Sequence, residues 1–215
     1  MRLAIDTSGV EQALALLDGT RLVGGADWVR TPSDPPVLQR LQALLRDAGA
    51  GPDTLEAVVA ARGPGSFTGL RVGLSLAAGL AYARHLPLYL LDSLPLLARR
   101  SLPDPAPYAI RDAGHAEVYA WQEGEGVRRL AVQALPGWLP ASGRIVVEPA
   151  GKLALWSPVH AGLEIPADQR SPASRALGDG ANEALDSQKP VRYDEVQALY
   201  VQPAAAEERK RKAPL

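Results

Sequence analysis

Two short segments of this chain carry residue types in spacings that could handle a phosphate. The first is Asp6-Thr7-Ser8-Gly9, a carboxylate and two hydroxyls directly after the apolar run Leu3-Ala4-Ile5. The second is Gly63-Pro64-Gly65-Ser66-Phe67-Thr68-Gly69-Leu70-Arg71, directly after Ala57-Val58-Val59-Ala60-Ala61. A buried strand, a glycine turn and a helix start together present unpaired backbone N–H groups to an anion. The same arrangement also serves as a tight strand-to-helix packing turn. The Walker lysine and the G-x-G-x-x-G spacing are both missing. Asp6, Thr7 and Ser8 have two readings as well: contact with a metal-bound nucleotide, or satisfaction of their own turn, which is the commoner use of such side chains. A nucleotide held between two halves needs a second glycine loop, and Leu177-Gly178-Asp179-Gly180-Ala181-Asn182 is the only candidate. Together Asp6, Thr7, Ser8, Gly63, Gly65, Ser66, Gly178 and Gly180 make a weak or vestigial nucleotide site.

Other chemistries are poorly supplied. With no cysteine, the chain has no disulfide, thiolate nucleophile or cysteine zinc site. His85, His115 and His160 form no H-x-x-x-H metal pair. Asp112, His115 and Glu117 stand close enough for a cation, or for a merely solvated strand pair. No G-x-S-x-G elbow is present. No catalytic residue and no metal ligand is therefore assigned.

The elements that must position these segments follow from periodicity. Leu3–Ile5, Gln12–Leu17 and Arg21–Val29 read as strands, with a two-residue turn at Asp18-Gly19. After the proline-rich break Thr31–Pro36, apolar residues from Val37 to Ala48 recur at helical spacing, and Gly49 suits the C-terminal cap. A strand at 57–61, a long helix from Thr68 to His85 and a strand at Leu88–Leu91 follow. Asp92 or Ser93 is placed to cap a helix from Leu94 to Arg100. The first hundred residues thus read β-β-β-α-β-α-β-α, a mixed sheet with crossovers. Ser101–Pro107 is the strongest boundary. Beyond it, Tyr108–Arg111 with Glu117–Gln122, then Arg144–Val147, read as strands, and Ala173–Leu185 as a helix. No internal repeat is visible. The expected organisation is an N-terminal lobe over 1–104, a smaller lobe over 105–202, and a mobile, dispensable, charge-rich tail over 203–215.

The long helix carries apolar residues well past half its circumference, so it needs a second cover beyond its own sheet. Gly69, Gly73 and Ala77 recur every four residues and permit close approach of a neighbouring backbone. Leu70, Leu74, Ala77 and Ala81 share one face, with Ala78 beside them; Leu41, Leu44 and Leu45 form the stripe of the preceding helix. Part of these stripes covers the sheet, and the remainder is expected to meet a partner.

An apolar fraction of 47% with 22% charged residues is ordinary for a globular protein. A net charge of −1 provides no field for holding nucleic acid unaided. Asp6 and Glu11 interrupt any signal-like start, and no run suffices to span a membrane, so the cytoplasm is expected.

Leu3-Ala4-Ile5-Asp6-Thr7-Ser8 and Arg62–Gly73 together resemble the bacterial TsaB (YeaZ) family. Asp112-Ala113 followed by Glu117-Val118-Tyr119, then Gly178-Asp179-Gly180-Ala181 and Leu199-Tyr200-Val201, agree with its weaker signatures. The resemblance implies an α/β, actin-like (ASKHA, sugar-kinase-type) fold with two lobes, the second degenerate. It implies a non-catalytic scaffold in making threonylcarbamoyladenosine, the modified adenosine beside the anticodon of tRNAs that read codons beginning with A. The implied partners are a TsaD-type catalytic paralogue and a TsaE-type ATPase, with tRNA reached through the complex and a homodimer when the chain is alone. ATP and metal are then expected on the partners, with no cofactor on this chain. Two departures stand out: Thr31–Pro36 replaces a histidine-serine-acid segment, and Gly114-His115 replaces an arginine pair. The competing reading is an autonomous actin-like phosphotransferase; a peptidase is the third, opposed by the missing histidine pair and cysteine.

Overall fold

The structure, a computed structural model, describes residues 1–101 and 104–201; the tail over 203–215 lies outside them. The elements in order are strands β1 (Arg2–Asp6), β2 (Glu11–Asp18) and β3 (Arg21–Val29), helix α1 (Val37–Asp47), β4 (Ala57–Gly63), α2 (Phe67–Arg84), β5 (Leu88–Asp92) and α3 (Ser93–Ala98). The second half adds β6 (Tyr108–Gly114), β7 (Glu117–Gln122), β8 (Gly126–Ala131), the single-turn α4 (Leu135–Trp138), β9 (Ile145–Glu148), the single-turn α5 (Leu153–Trp156) and α6 (Ala173–Ser187). β8, α4 and α5 have no counterpart in the sequence reading. The hairpin between β2 and β3 turns on Gly19 and Thr20, one step later than the Asp18-Gly19 signal, with Gly19 at φ +58°.

The first sheet runs β3-β2-β1-β4-β5. β1 pairs antiparallel with β2 and parallel with β4, so the early hairpin and the later crossovers share one sheet. Strand side chains alternate between faces, and the sequence divides accordingly. Leu3, Ile5, Leu14, Leu16, Val58 and Ala60 face α1 and α2. Ala4, Ala13, Ala15, Val59 and Ala61 face the other way, where α6 brings Leu177 and Ala181. The second set is mostly alanine, which lets α6 lie close. Gly180 has the same cause, because a Cβ there would come within 3.0 Å of Leu96. α3 is a buried wedge: Leu96 joins the first lobe's core, while Leu94 and Leu97 pack with Ala109 and Val146 of the second lobe.

The second sheet runs β8-β7-β6-β9, with β6 antiparallel to β7 and parallel to β9. This repeats the first four positions of the other sheet and lacks its fifth strand. The repeat is topological, so the sequence did not display it. It extends to side chains: Asp6 Oδ1 accepts from the Ser8 N–H at 2.8 Å, and Asp112 Oδ1 from the Gly114 N–H at 2.8 Å. Two related lobes facing one another, the second shortened, are the actin-like α/β architecture expected from the resemblance.

α2 resolves the question of its two covers. Gly69, Leu70, Gly73, Leu74, Ala77 and Ala81 are buried. Leu41, Leu44 and Leu45 of α1 are buried too, and Leu74, Ala77 and Ala81 share one core cluster with them. Of the residues expected to reach a partner, these seven, Leu70 included, fill the chain's own interior, because α2 lies flat on β1 and β4. Ala78 is half-buried at the edge of a groove. What α2 turns outward is Thr68, Val72, Ser75, Gly79 and Ala83, flanked by Arg71 and Tyr82. Among the described residues, no helix is long and apolar enough to cross a membrane.

Candidate functional site: a cleft sealed at its base

β1 ends in Asp6 and β4 ends in Gly63, adjacent strands whose loops therefore lie side by side. Ser66 N–H donates to Ser8 C=O at 2.7 Å, and Thr7 Oγ1 donates to Gly69 C=O at 2.7 Å. Asp6 accepts from Ser8 Oγ at 2.5 Å as well as from its N–H. Thr7 and Ser8 are buried and Asp6 is nearly so. The turn reading of this segment holds: the carboxylate satisfies its own loop. A void of only about 10 Å³ adjoins Asp6, Glu11, Arg111 and Glu148, at the lower limit of the space one water molecule needs.

The glycines of the second loop have a matching explanation. A Cβ on Gly65 would overlap the Ser8 carbonyl, one on Gly69 the Thr7 carbonyl, and one on Gly73 the Thr7 hydroxyl, all closer than 3.0 Å. The backbone approach anticipated from the four-residue spacing is made by the loop after β1, while Gly65 and Ser66 also border the cleft. Ser66 caps α2 by accepting from Gly69 N–H at 3.2 Å. Asp92 and Ser93 leave α3 without a side-chain cap. Asp92 instead accepts from Arg62 Nε at 2.7 Å, and Ser93 Oγ accepts from Gly63 N–H at 3.0 Å. Gly178 and Gly180 sit within α6 against Leu17, Leu22 and Leu96, and they do not line the cleft. The structure thus brings together Asp6, Thr7, Ser8, Gly63, Gly65 and Ser66 and leaves Gly178 and Gly180 apart.

These packing contacts give opposite signs for two glycine changes on one helix. Gly69→Ala is expected to destabilise by about 1–3 kcal/mol, as overpacking does, despite alanine's better helix propensity. Gly79→Ala, with nothing within 4 Å of a new Cβ, is expected to stabilise by about 0.5–1 kcal/mol. Urea midpoints for both variants check the pair.

Two residues to which the sequence assigned no role close the base of the cleft. Arg111 ends the apolar run of β6 and Glu148 that of β9, and they are register partners in the parallel pair. Arg111 Nε donates to Glu148 Oε2 at 2.5 Å, with side-chain exposures of 6% and 2%. Arg111 Nη1 also donates to Ser8 Oγ at 2.7 Å and Pro64 C=O at 3.0 Å. Glu148 Oε1 accepts from Glu11 N–H at 2.9 Å. A charge closing each of two buried strand runs was the available signal. Nearby, burial holds the Arg170 guanidinium below its ordinary pKa, countered by Glu164; it donates to Val147 C=O at 2.7 Å and Ile165 C=O at 2.9 Å.

Above this base the lobes part around an open cleft of about 920 Å³, bordered by Arg30, Ser66, Phe67, His115, Tyr119 and Tyr200. Phe67 and Tyr200 make a tilted ring contact, with centroids 5.9 Å apart and planes at 37°. His115 and Ala116 hold φ of +54° and +58° at the tip of the β6–β7 hairpin. Asp112, His115 and Glu117 do not converge on a cation: Asp112 turns to Gly114, and Glu117 pairs with Arg129. Among the described residues no cluster suits a metal.

Comparison with known proteins agrees with this construction. The family model described as "TsaD: tRNA N6-adenosine threonylcarbamoyltransferase" matches residues 37–158. The tRNA threonylcarbamoyladenosine biosynthesis protein TsaB of Bacillus subtilis is 35% identical over 97 residues, covering 45% of this chain and 42% of the relative. A tRNA N6-adenosine threonylcarbamoyltransferase of Nitratidesulfovibrio vulgaris is 43% identical over 81 residues, covering 35% and 22%. The sequence matches thus span less than half the length of either relative. YeaZ from Pseudomonas aeruginosa shares the fold, with a TM-score of 0.73 at 23% identity over 93% of this chain and 98% of that one. The paired loops after β1 and β4, the two-lobed frame and these matches agree: the chain belongs to the TsaB (YeaZ) family.

Proposed function

We propose that the chain is a non-catalytic subunit in the biosynthesis of threonylcarbamoyladenosine on tRNA, acting by binding a TsaD-type paralogue. The observation that carries this reading is the sealed loop pair. In a phosphotransferase of this architecture, Asp6 and the glycine turn would face a nucleotide in the cleft. Here Asp6 is bonded to Ser8, and the glycine faces are occupied by the backbone of residues 7 and 8. Catalysis, ATP and metal then belong to the partners, a TsaD-type enzyme and a TsaE-type ATPase in the cytoplasm, and tRNA is met through the complex.

The surface available for docking is the outward stripe of α2, not the buried stripes. Thr68, Val72, Ser75, Gly79 and Ala83 are small or apolar, and Val72 remains 44% exposed. Small residues along an exposed helix allow a second helix to approach closely. The same stripe serves a two-fold homodimer when the chain is alone, so paralogue and second copy compete for it.

Gly79→Glu tests this directly. Because Gly79 meets nothing, the change is expected to preserve or slightly raise the melting temperature, since glutamate is the better helix former. It places a charge on the stripe and is expected to abolish both self-association in sedimentation and binding to the TsaD-type paralogue in titration calorimetry. Undiminished binding overturns the assigned surface. Magnesium-dependent ATP turnover by the purified chain, lost in Asp6→Ala, would instead establish the phosphotransferase.

A further inference from the structure

We infer that Arg111 and Glu148 form a latch that fixes the two lobes at one separation, so that the cleft neither opens nor closes around a ligand. Two-lobed proteins that close on ligands do so about a few residues that absorb backbone rotation. Here the corresponding region is closely bonded. Arg111, on the second lobe, donates to Ser8 Oγ and to Pro64 C=O, one acceptor in each phosphate-type loop of the first lobe. Glu148, on the adjacent strand, accepts from Glu11 N–H at the start of β2. The two side chains also hold one another. Rotation of the lobes about this point would separate a guanidinium and a carboxylate, both largely buried at the floor of the cleft, from their partners, and that loss is costly for a buried pair. Gly9 is part of the device, since a Cβ on it would overlap the Glu148 carboxylate.

The absence of native cysteine makes the test simple. Spin labels at Gln42→Cys on α1 and Glu123→Cys after β7, both exposed, report the lobe separation by pulsed electron resonance. The full chain is expected to give one narrow distance, shifted by less than about 2 Å on adding magnesium and ATP, below the range of domain rearrangement. Gly9→Ala leaves both charges in place but wedges the carboxylate aside, and it is expected to broaden the distribution; Arg111→Met is expected to do the same. Should Arg111→Met fail to fold, Gly9→Ala carries the test. A wild-type distance that is already broad or moves with ATP overturns the latch, as does a Gly9→Ala protein that folds with an unchanged narrow distance. These readings concern lobe separation alone and are independent of whether a TsaD-type protein binds.

Discussion

Replacing Glu148 with alanine is expected to lower stability by about 3–5 kcal/mol, the cost of leaving one member of a buried ion pair without its partner. At this chain length that corresponds to a fall in melting temperature of roughly 6–20 °C. The stranded group is Arg111, with its side chain 6% exposed and aimed at Ser8 and Pro64. Glu11 N–H loses its acceptor at the same time. Arg111→Met together with Glu148→Met removes both charges at similar volume and is expected to recover much of the loss, as buried pairs often tolerate apolar replacement. Urea unfolding of the single and double variants checks both. A Glu148→Ala protein within 1 kcal/mol of wild type (about the error of such comparisons) would mean that water reaches Arg111.

The second large effect lies on α2. Leu74 is 6% exposed and packs in one cluster with Ile5, Val58 and Leu45. Leu74→Glu is therefore expected to unfold the chain or leave it unable to fold at 37 °C. Truncating such a leucine alone costs about 2–5 kcal/mol, and a carboxylate with no partner adds a desolvation penalty. Circular dichroism separates this outcome from a change confined to the surface. A well-folded Leu74→Glu monomer would show that the residue faces outward, and the assignment of the interface to the Val72–Gly79 stripe would then fail. Placing charge at Leu74 or at Gly79, on opposite sides of one helix, thus separates loss of fold from loss of association.

Local order was legible from the residues. Strand runs such as Leu3–Ile5 and Ala57–Ala61 and the helical spacing of Val37–Ala48 depend on neighbours within a few positions. Periodicity and turn chemistry record such neighbours directly. That the first sheet is mixed followed from the order of its elements, an early antiparallel set and later crossovers; the strand order came from the structure. The recurrence of Gly69, Gly73 and Ala77 announced a close approach. That Gly69 and Gly73 are approached by the Thr7 carbonyl and hydroxyl is a contact across more than fifty residues that no local pattern encodes. The division of the apolar stripes was hidden for the same reason. Leu74 and Val72 are equally suited to a core or an interface by type, and only the angle at which α2 meets β1 and β4 buries one and exposes the other. Arg111 and Glu148 looked like ordinary charges at the ends of strands. Their role came from the parallel pairing of β6 with β9 and the placement of that pair against the first lobe. Sequence set which segments form and what they can bear; tertiary structure decided which side chains meet, because burial and pairing are properties of distant parts brought together.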